Sequence, residues 1–311
     1  MTDPLHPDER PGRRSREMHM TLLEESLMVQ IEQTSSTEDI INAARHLNQT
    51  YSPFSTDAVL WKEVKTAFSP QQEQLFNGYS EKVIANKFIN LLLLKYYPCE
   101  RTIKYALIER LNKRLDTVLF EMPVLDSRID VGRINGNSFA YEIKTEFDSL
   151  RRIEKQVSDY SRVYEYIIVI LAPQFYEEAL KLVPEYCGIW TYSHTKGTGK
   201  TAFQKKRPER RSPYLSPHSQ LQCLSQQSLL SILRNKKIQD SSIPATKEER
   251  IDLIMDVYAP RTINTKFKAV VKEMYASNWE FIHEHYHAIL PIDIQAIFGS
   301  TIDPGLLYLK Q

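Results

Sequence analysis

The stretch that decides the fold runs from Ile129-Asp130-Val131 through the turn Asn135-Gly136 to Phe139-Ala140-Tyr141-Glu142-Ile143-Lys144. An Asn-Gly pair between two apolar-alternating runs is a strong hairpin signal, because the tight turn favours residues that tolerate left-handed backbone. Strand side chains alternate faces. Glu142 and Lys144 therefore share one face, and Tyr141 and Ile143 take the other. Asp130 points away from its apolar neighbours Ile129 and Val131. Pairing around the turn sets Asp130 opposite Tyr141 or Glu142, so two carboxylates and one lysine converge at one end of a sheet.

The pattern extends outward on both sides. Val83, Ile84, Phe88, Leu91 and Leu92 follow a helical period that Pro98 ends, and a second helix is expected over 100–113. Thr117–Phe120 with Val124 reads as a strand. Downstream, Leu150, Ile153, Val157 and Tyr160 recur at helical spacing in a helix starting at Asp148 or Ser149. Ile167–Leu171 is short, continuous and β-branched, as a strand buried on both faces is. A helix over 174–183 and a strand over 188–193 follow. The expected fold class is α/β, with a helix, three meandering strands, a helix and a strand forming a mixed sheet. Helical regions are expected at both ends of the chain.

The divisions expected are a disordered tail over 1–17, a helical region over 18–75 and the α/β domain over 76–206. A basic Pro/Ser-rich linker over 207–223 and a helical region over 224–311 complete them. In the first helical region, Ser36-Thr37-Glu38-Asp39 reads as a helix N-cap.

The formal net charge is +1, from 40 basic and 39 acidic residues among 311. That near-zero total conceals an asymmetry of −5 over 1–195, +8 over 196–250 and −2 over 251–311. Only nine glycines are present, which speaks against phosphate-cradling nucleotide loops. No apolar run approaches the ~20 residues that span a bilayer, so no membrane association is expected. Cys99, Cys187 and Cys223 are scattered, which fits neither a disulfide framework nor a zinc knuckle and points to a reducing cytoplasm.

Carboxylates beside a lysine suit metal-dependent phosphodiester cleavage. Mg²⁺ is held by one or two carboxylates and keeps several waters. The ion activates a water and offsets charge developing on phosphorus. The competing reading is a solvated strand face with an ordinary Glu–Lys pair. The next helix shifts the balance, because Gln156 and Tyr160 lie four apart on one helical face and Arg152 extends the row.

Asp130, Glu142-Ile143-Lys144 and Gln156-x-x-x-Tyr160 together resemble the PD-(D/E)XK nuclease superfamily. The likeness is greatest to members bearing a Q-x-x-x-Y motif, such as RecB-type and lambda-exonuclease-type enzymes, and to a bacterial family within that superfamily. It covers roughly residues 75–195. The resemblance implies a restriction-endonuclease-like α-β-β-β-α-β core and a Mg²⁺ or Mn²⁺ cofactor. It implies that Asp130, Glu142 and the Ile143 carbonyl hold the metal. Lys144 would serve the attacking water or transition state, and Gln156 and Tyr160 would line the site. A further carboxylate on the first helix is matched by Glu81, which equally suits an ordinary first helical turn. Ile129 stands where members often carry proline.

A phosphate-tracking surface is expected from Arg152, Lys205, Lys206, Arg207, Arg210 and Arg211, giving salt-dependent affinity. Leu229–Ile238, with Lys236 and Lys237, and Lys247–Ile254 resemble a SAP-like DNA-binding motif, against the alternative of a generic helical pair. Gly197-Thr198-Gly199-Lys200-Thr201 imitates a phosphate loop but has His194 where its first glycine belongs, and a hairpin turn explains it. His283-Glu284-His285-Tyr286-His287 fits the zinc-protease pattern but lacks a clear third ligand. Histidines on an outer helical face are the plainer account.

The function expected is metal-dependent hydrolysis of DNA, with RNA as an alternative substrate, in phage defence, repair or mobile-element maintenance. The alternatives are a non-catalytic nucleic-acid-binding module on the same fold, and a partner-dependent subunit or toxin-like effector. Either would use the terminal helical regions for protein contacts or self-association.

Overall fold

The computed structural model describes residues 22–111, 117–236, 238, 243–285, 287–299 and 304–308. The expected tail over 1–17 and Lys237 lie outside the described residues.

A six-stranded mixed sheet organises the chain. Its strands are β1 (Thr117–Phe120), β4 (Val131–Ile134), β5 (Ser138–Lys144), β6 (Tyr166–Leu171), β7 (Gly188–Thr195) and β8 (Lys200–Arg207), hydrogen-bonded in that order. The pairs β1–β4, β4–β5 and β7–β8 are antiparallel, and β5–β6 and β6–β7 are parallel. A short hairpin, β2 (Pro123–Val124) with β3 (Ser127–Arg128), lies between β1 and β4. The central strand β6 has parallel neighbours and helices on both faces. Its residues Ile167 to Leu171 are accordingly all fully buried.

Turn chemistry sets the register at the decisive hairpin. Gly136 adopts φ +95°, and the Asn135 N–H bonds the Asn137 carbonyl. The loop is therefore three residues long, Ile134 pairs with Ser138 and Val131 with Tyr141. One step further along, this brings Asp130 opposite Glu142.

The N-terminal layer holds α1 (Leu22–Thr34), α2 (Thr37–Thr50), α3 (Asp57–Ala67), α4 (Glu73–Ser80) and α5 (Ala85–Tyr96). They close their own core around Leu27, Trp61, Phe76 and Phe88. Ser36 caps α2 in a reciprocal capping box with Asp39. Next, α6 (Glu100–Leu111) lays Ile103, Leu107 and Ile108 against Tyr141, Ile143, Ile168 and Ile170 on one sheet face. On the other face α7 (Ile153–Val163) sets Ile153, Val157 and Tyr160 against Ala140, Ile167 and Val169. Each such apolar side chain contributes roughly 1.5–3 kcal/mol by leaving water. A short α8 (Tyr176–Leu182) links β6 to β7.

Helices α9 (Pro217–Gln222), α10 (Gln226–Arg234), α11 (Lys247–Val257) and α12 (Pro260–Met274) thicken the α7 layer. Helices α13 (Ala276–Glu284) and α14 (Ala296–Gly299) return to the α6 face. The chain is thus mixed α/β with helical regions before and after the sheet, as expected.

Three local readings change. The helix expected from Asp148 begins at Ile153, because Asp148 Oδ2 accepts from the Thr145 amide (2.8 Å) and hydroxyl (2.7 Å) and closes a turn instead. The charged run Lys200–Arg207 is the edge strand β8. The stretch 207–223 lies against the sheet domain, with Arg210, Ser212 and Ser216 amides bonded to the carbonyls of Tyr186, Glu165 and Arg162.

Candidate functional site

The expected carboxylates and lysine meet at one end of the sheet. Glu142 and Lys144 project from β5 toward α7, and both are at least nine-tenths buried. Lys144 Nζ lies 2.6 Å from Glu142 Oε1. The Tyr160 hydroxyl reaches in from α7 and lies 2.7 Å from both Glu142 Oε2 and the Arg128 carbonyl. Asp130 stands just before β4, with Oδ2 accepting from the Ile143 N–H at 2.6 Å. The Ile143 amide thus holds the Asp130 carboxylate in place.

A second tier surrounds Asp130 on the α6 side. Lys104 is 1% exposed. Its ammonium contacts Glu100 and Glu121 and lies 3.5 Å from Asp130 Oδ1. Glu121 follows β1 with φ +54°, and its other oxygen takes Arg128 Nε at 2.7 Å. Carboxylate oxygens of Glu100, Glu121 and Asp130 all lie within 4.8 Å of one another. Together Glu100, Glu121, Asp130 and Glu142 face Lys104, Lys144 and Arg128, so the group carries an excess of negative charge.

Burial and these charges together set the proton affinities. Burial pushes the Asp130 carboxyl well above the usual carboxylate range and the Glu142 charge pushes it further, against the opposing pull of Lys104 and the Ile143 amide. Burial works against the Lys104 ammonium, but Asp130, Glu100 and Glu121 outweigh it and hold the proton more tightly than usual. Burial, then the Glu142 charge, keeps the Tyr160 hydroxyl protonated, so it acts as a donor. Gln156 sits one turn before Tyr160, and its Oε1 is buried without a hydrogen-bond partner. That oxygen is open to a further hydrogen bond.

The helix carboxylate in this group is Glu100, not Glu81. Glu81 is exposed at the C-cap of α4, within the N-terminal helical layer. Glu100, Lys104 and Glu121 were not singled out by motif. The Glu100-x-x-x-Lys104 spacing and the acidic residue directly after the Thr117–Phe120 run are the signals that carry them.

The basic residues expected to track phosphate have different surroundings. Arg152 is exposed at the start of α7. Lys205 lies over the Trp190 ring and pairs with Glu209, whereas Lys206 lies over Tyr176 from α8. Alternation along β8 thus divides the run between two faces. The Arg207 guanidinium is committed to the carbonyls of Val183, Pro184 and Cys187. Arg211 pairs with buried Glu165, while Arg210 is exposed. Lys236 lies over the Tyr258 ring. Helices α10 and α11 bury Leu229, Ile232, Leu233, Ile251 and Ile254 in the core of the α7 layer.

The other two motifs are structural. Gly197 (φ +81°) and Gly199 (φ +69°) form the hairpin turn between β7 and β8. His283 and His285 pack on the rings of Trp279 and Phe281, each four residues earlier.

Residues 95–297 match the family model described as bacteriophage P4 protein cII. The chain belongs to the P4 protein cII family. The matched span contains every member of the group from Glu100 to Tyr160 and excludes Glu81. Protein cII of Enterobacteria phage P4 is 35% identical over 96 residues, which are 29% of this chain and 36% of that protein. The chain therefore spans about a third of the length of the curated cII protein that it matches. A solved structure, a protein of unknown function from Silicibacter pomeroyi, aligns over 46% of this chain and 92% of its own at 12% identity, with a TM-score of 0.30.

Proposed function

We propose that this P4 cII family member is a divalent-metal-dependent nuclease acting on DNA. The observation that carries the reading is the buried row Tyr160–Glu142–Lys144 set beside the partly buried Asp130, with each side chain held by a hydrogen bond. We read α6, β1, β4, β5, α7 and β6 as the restriction-endonuclease-like core that the motif resemblance implies. Two features support it: the hairpin register that places Asp130 opposite Glu142, and the parallel β5–β6 pair joined through α7.

Mg²⁺ or Mn²⁺ would supply an activated water and offset charge on the phosphorus. Asp130 and Glu142 would hold it, with Glu121 adding a carboxylate oxygen and Gln156 Oε1 offering an acceptor to bound water. Lys144 holds a positive charge against Glu142, where it can orient the attacking water and stabilise the phosphorane. Tyr160 fixes the Glu142 carboxylate by donating to it. The Ile143 amide does the same for Asp130. A binding-only module derives no benefit from an excess of clustered carboxylates beside phosphate, which ranks that alternative second.

The test uses linear, circular, single-stranded and duplex DNA, and RNA, with Mg²⁺ or Mn²⁺, in parallel with Glu142→Ala and Lys144→Ala. Metal-dependent cleavage abolished by both substitutions is expected. Cleavage that survives both would remove the site assignment. Retained DNA binding without any cleavage would favour the binding module.

A further inference from the structure

Lys104 is the least expected member of the group. Lysine is rarely buried unless paired, yet Lys104 is 1% exposed, in the middle of an α/β interface, with its ammonium against three carboxylates. Glu100 lies one turn earlier on the same helix, whereas Glu121 and Asp130 come from the sheet. The lysine therefore ties α6 to the ends of β1 and β4 through charge.

We propose that Lys104 is the resident counter-cation of this group: it neutralises Glu121 and Asp130 in the metal-free protein and is displaced when a divalent cation binds at Asp130. The inference rests on the metal-dependent reading above and adds a control built into the same site. Like-charge repulsion disfavours an ammonium and a divalent ion at the same carboxylate oxygen, and Lys104 Nζ lies 3.5 Å from Asp130 Oδ1. Arg128 pairs with Glu121 and Lys144 with Glu142, whereas Lys104 is the cation beside Asp130. Lys104 is thus the cation whose departure frees Asp130.

The structure also supplies an exit. The Glu100 side chain is 48% exposed at the N-terminal end of α6, while Lys104 reaches it from one turn further on. A flexible four-carbon stem lets the ammonium follow Glu100 toward solvent and keep one ion pair. Metal uptake would then loosen Lys104 from the sheet while leaving the Glu100–Lys104 pair intact.

Two measurements on the full chain test this. Mn²⁺ affinity is determined by calorimetry for the wild type, Lys104→Met and Asp130→Asn, with melting curves recorded for each. Lys104→Met keeps the apolar stem and removes the charge, and it should bind Mn²⁺ at least about tenfold more tightly than wild type. In the wild type, reductive methylation read by mass spectrometry should find Lys104 protected without metal and reactive at saturating Mn²⁺. Mn²⁺ binding to a folded Lys104→Met protein that is no tighter than wild type overturns the proposal while leaving the metal reading intact. Continued protection of Lys104 at saturating Mn²⁺ does the same, and it decides the matter should Lys104→Met fail to fold. Mn²⁺ binding that is absent in the wild type and Lys104→Met alike, or unaffected by Asp130→Asn, instead removes the metal reading at Asp130, and the counter-cation role with it.

Discussion

The Tyr160 hydroxyl sits 2.7 Å from Glu142 Oε2 while Lys144 Nζ sits 2.6 Å from Oε1 of the same carboxylate. Glu142 is therefore clamped from both sides, by a neutral donor on the helix and a cation on its own strand. Tyr160→Phe removes one arm and leaves Glu142 Oε2 and the Arg128 carbonyl without that donor. The expected stability cost is about 1–3 kcal/mol in urea unfolding. Cleavage should fall about 10- to 100-fold, as when other groups that orient metal-holding carboxylates are removed. Retained stability together with full activity would show that the helix donor does not position Glu142.

Glu165 is a second buried carboxylate with a structural task. It accepts from the Ser138 amide at 2.9 Å, from Lys268 at 3.0 Å, and from Arg211 and Asn264 at 3.1 Å each. It thereby joins β5, α12 and the segment after β8. Burial alone would raise its proton affinity, but these donors outweigh burial and hold the carboxyl below the usual range. The contribution is thus present above the unfolded-state value near 4.5 and is lost as the pH falls through the lower folded value. Glu165→Ala leaves Lys268 half-stranded and should cost about 3–5 kcal/mol at neutral pH. Its urea midpoint should also depend less on pH below 4.5 than that of the wild type.

Much of this arrangement is legible in local sequence, and the part that is not has a physical cause. Asn135-Gly136 and the alternation from Phe139 to Lys144 are local signals, so the β4–β5 hairpin and the meeting of Asp130 with Glu142 follow from them. Gln156 and Tyr160 follow from helical period. Lys104 and Glu100 do not, because an i,i+4 Glu–Lys pair on a helix is ordinarily a solvated pair. Only the seating of α6 on the sheet, an association distant in sequence, turns Lys104 inward while Glu100 stays at the surface. Strand β8 gives no strand signal because edge strands carry charge on both faces, so Lys200–Arg207 lacks the apolar alternation of the inner strands. The alternation of faces along the strand also divides Lys205 from Lys206.

Gly199 turns the β7–β8 hairpin with φ +69°, and a Cβ there would come 2.8 Å from the Leu94 carbonyl oxygen. The adjacent Gly197 N–H bonds the Lys95 carbonyl, so the turn is docked on the end of α5. Gly199→Ala faces both a left-handed backbone and a backbone clash that no side-chain rotation relieves. A loss of about 1–3 kcal/mol is expected, read as a lower melting temperature. Gly136→Ala, at φ +95° with open space around its Cβ position, should cost less. Equal effects at the two glycines would show that backbone conformation, and not docking on α5, accounts for the loss.

Asp293 has the opposite linkage to Glu165. Its Oδ2 takes hydrogen bonds from Tyr51 at 2.7 Å, Tyr308 at 2.9 Å and Asn90 at 3.0 Å, joining the C-terminal segment to α5 and the end of α2. Burial dominates here and raises the carboxyl from 3.8 to about 6, although the three donors oppose it. The folded protein therefore holds a proton that the unfolded chain releases between these two values. Native stability should fall as the pH rises through that window, by at most about 3 kcal/mol from this group. Asp293→Asn retains an acceptor for the three donors and removes the titration. Urea midpoints measured from pH 4 to pH 7, a range chosen to bracket the raised value, should decline less in the variant than in the wild type. Identical pH profiles would mean that the Asp293 carboxyl is not held protonated in the folded chain and that the donors around it outweigh its burial.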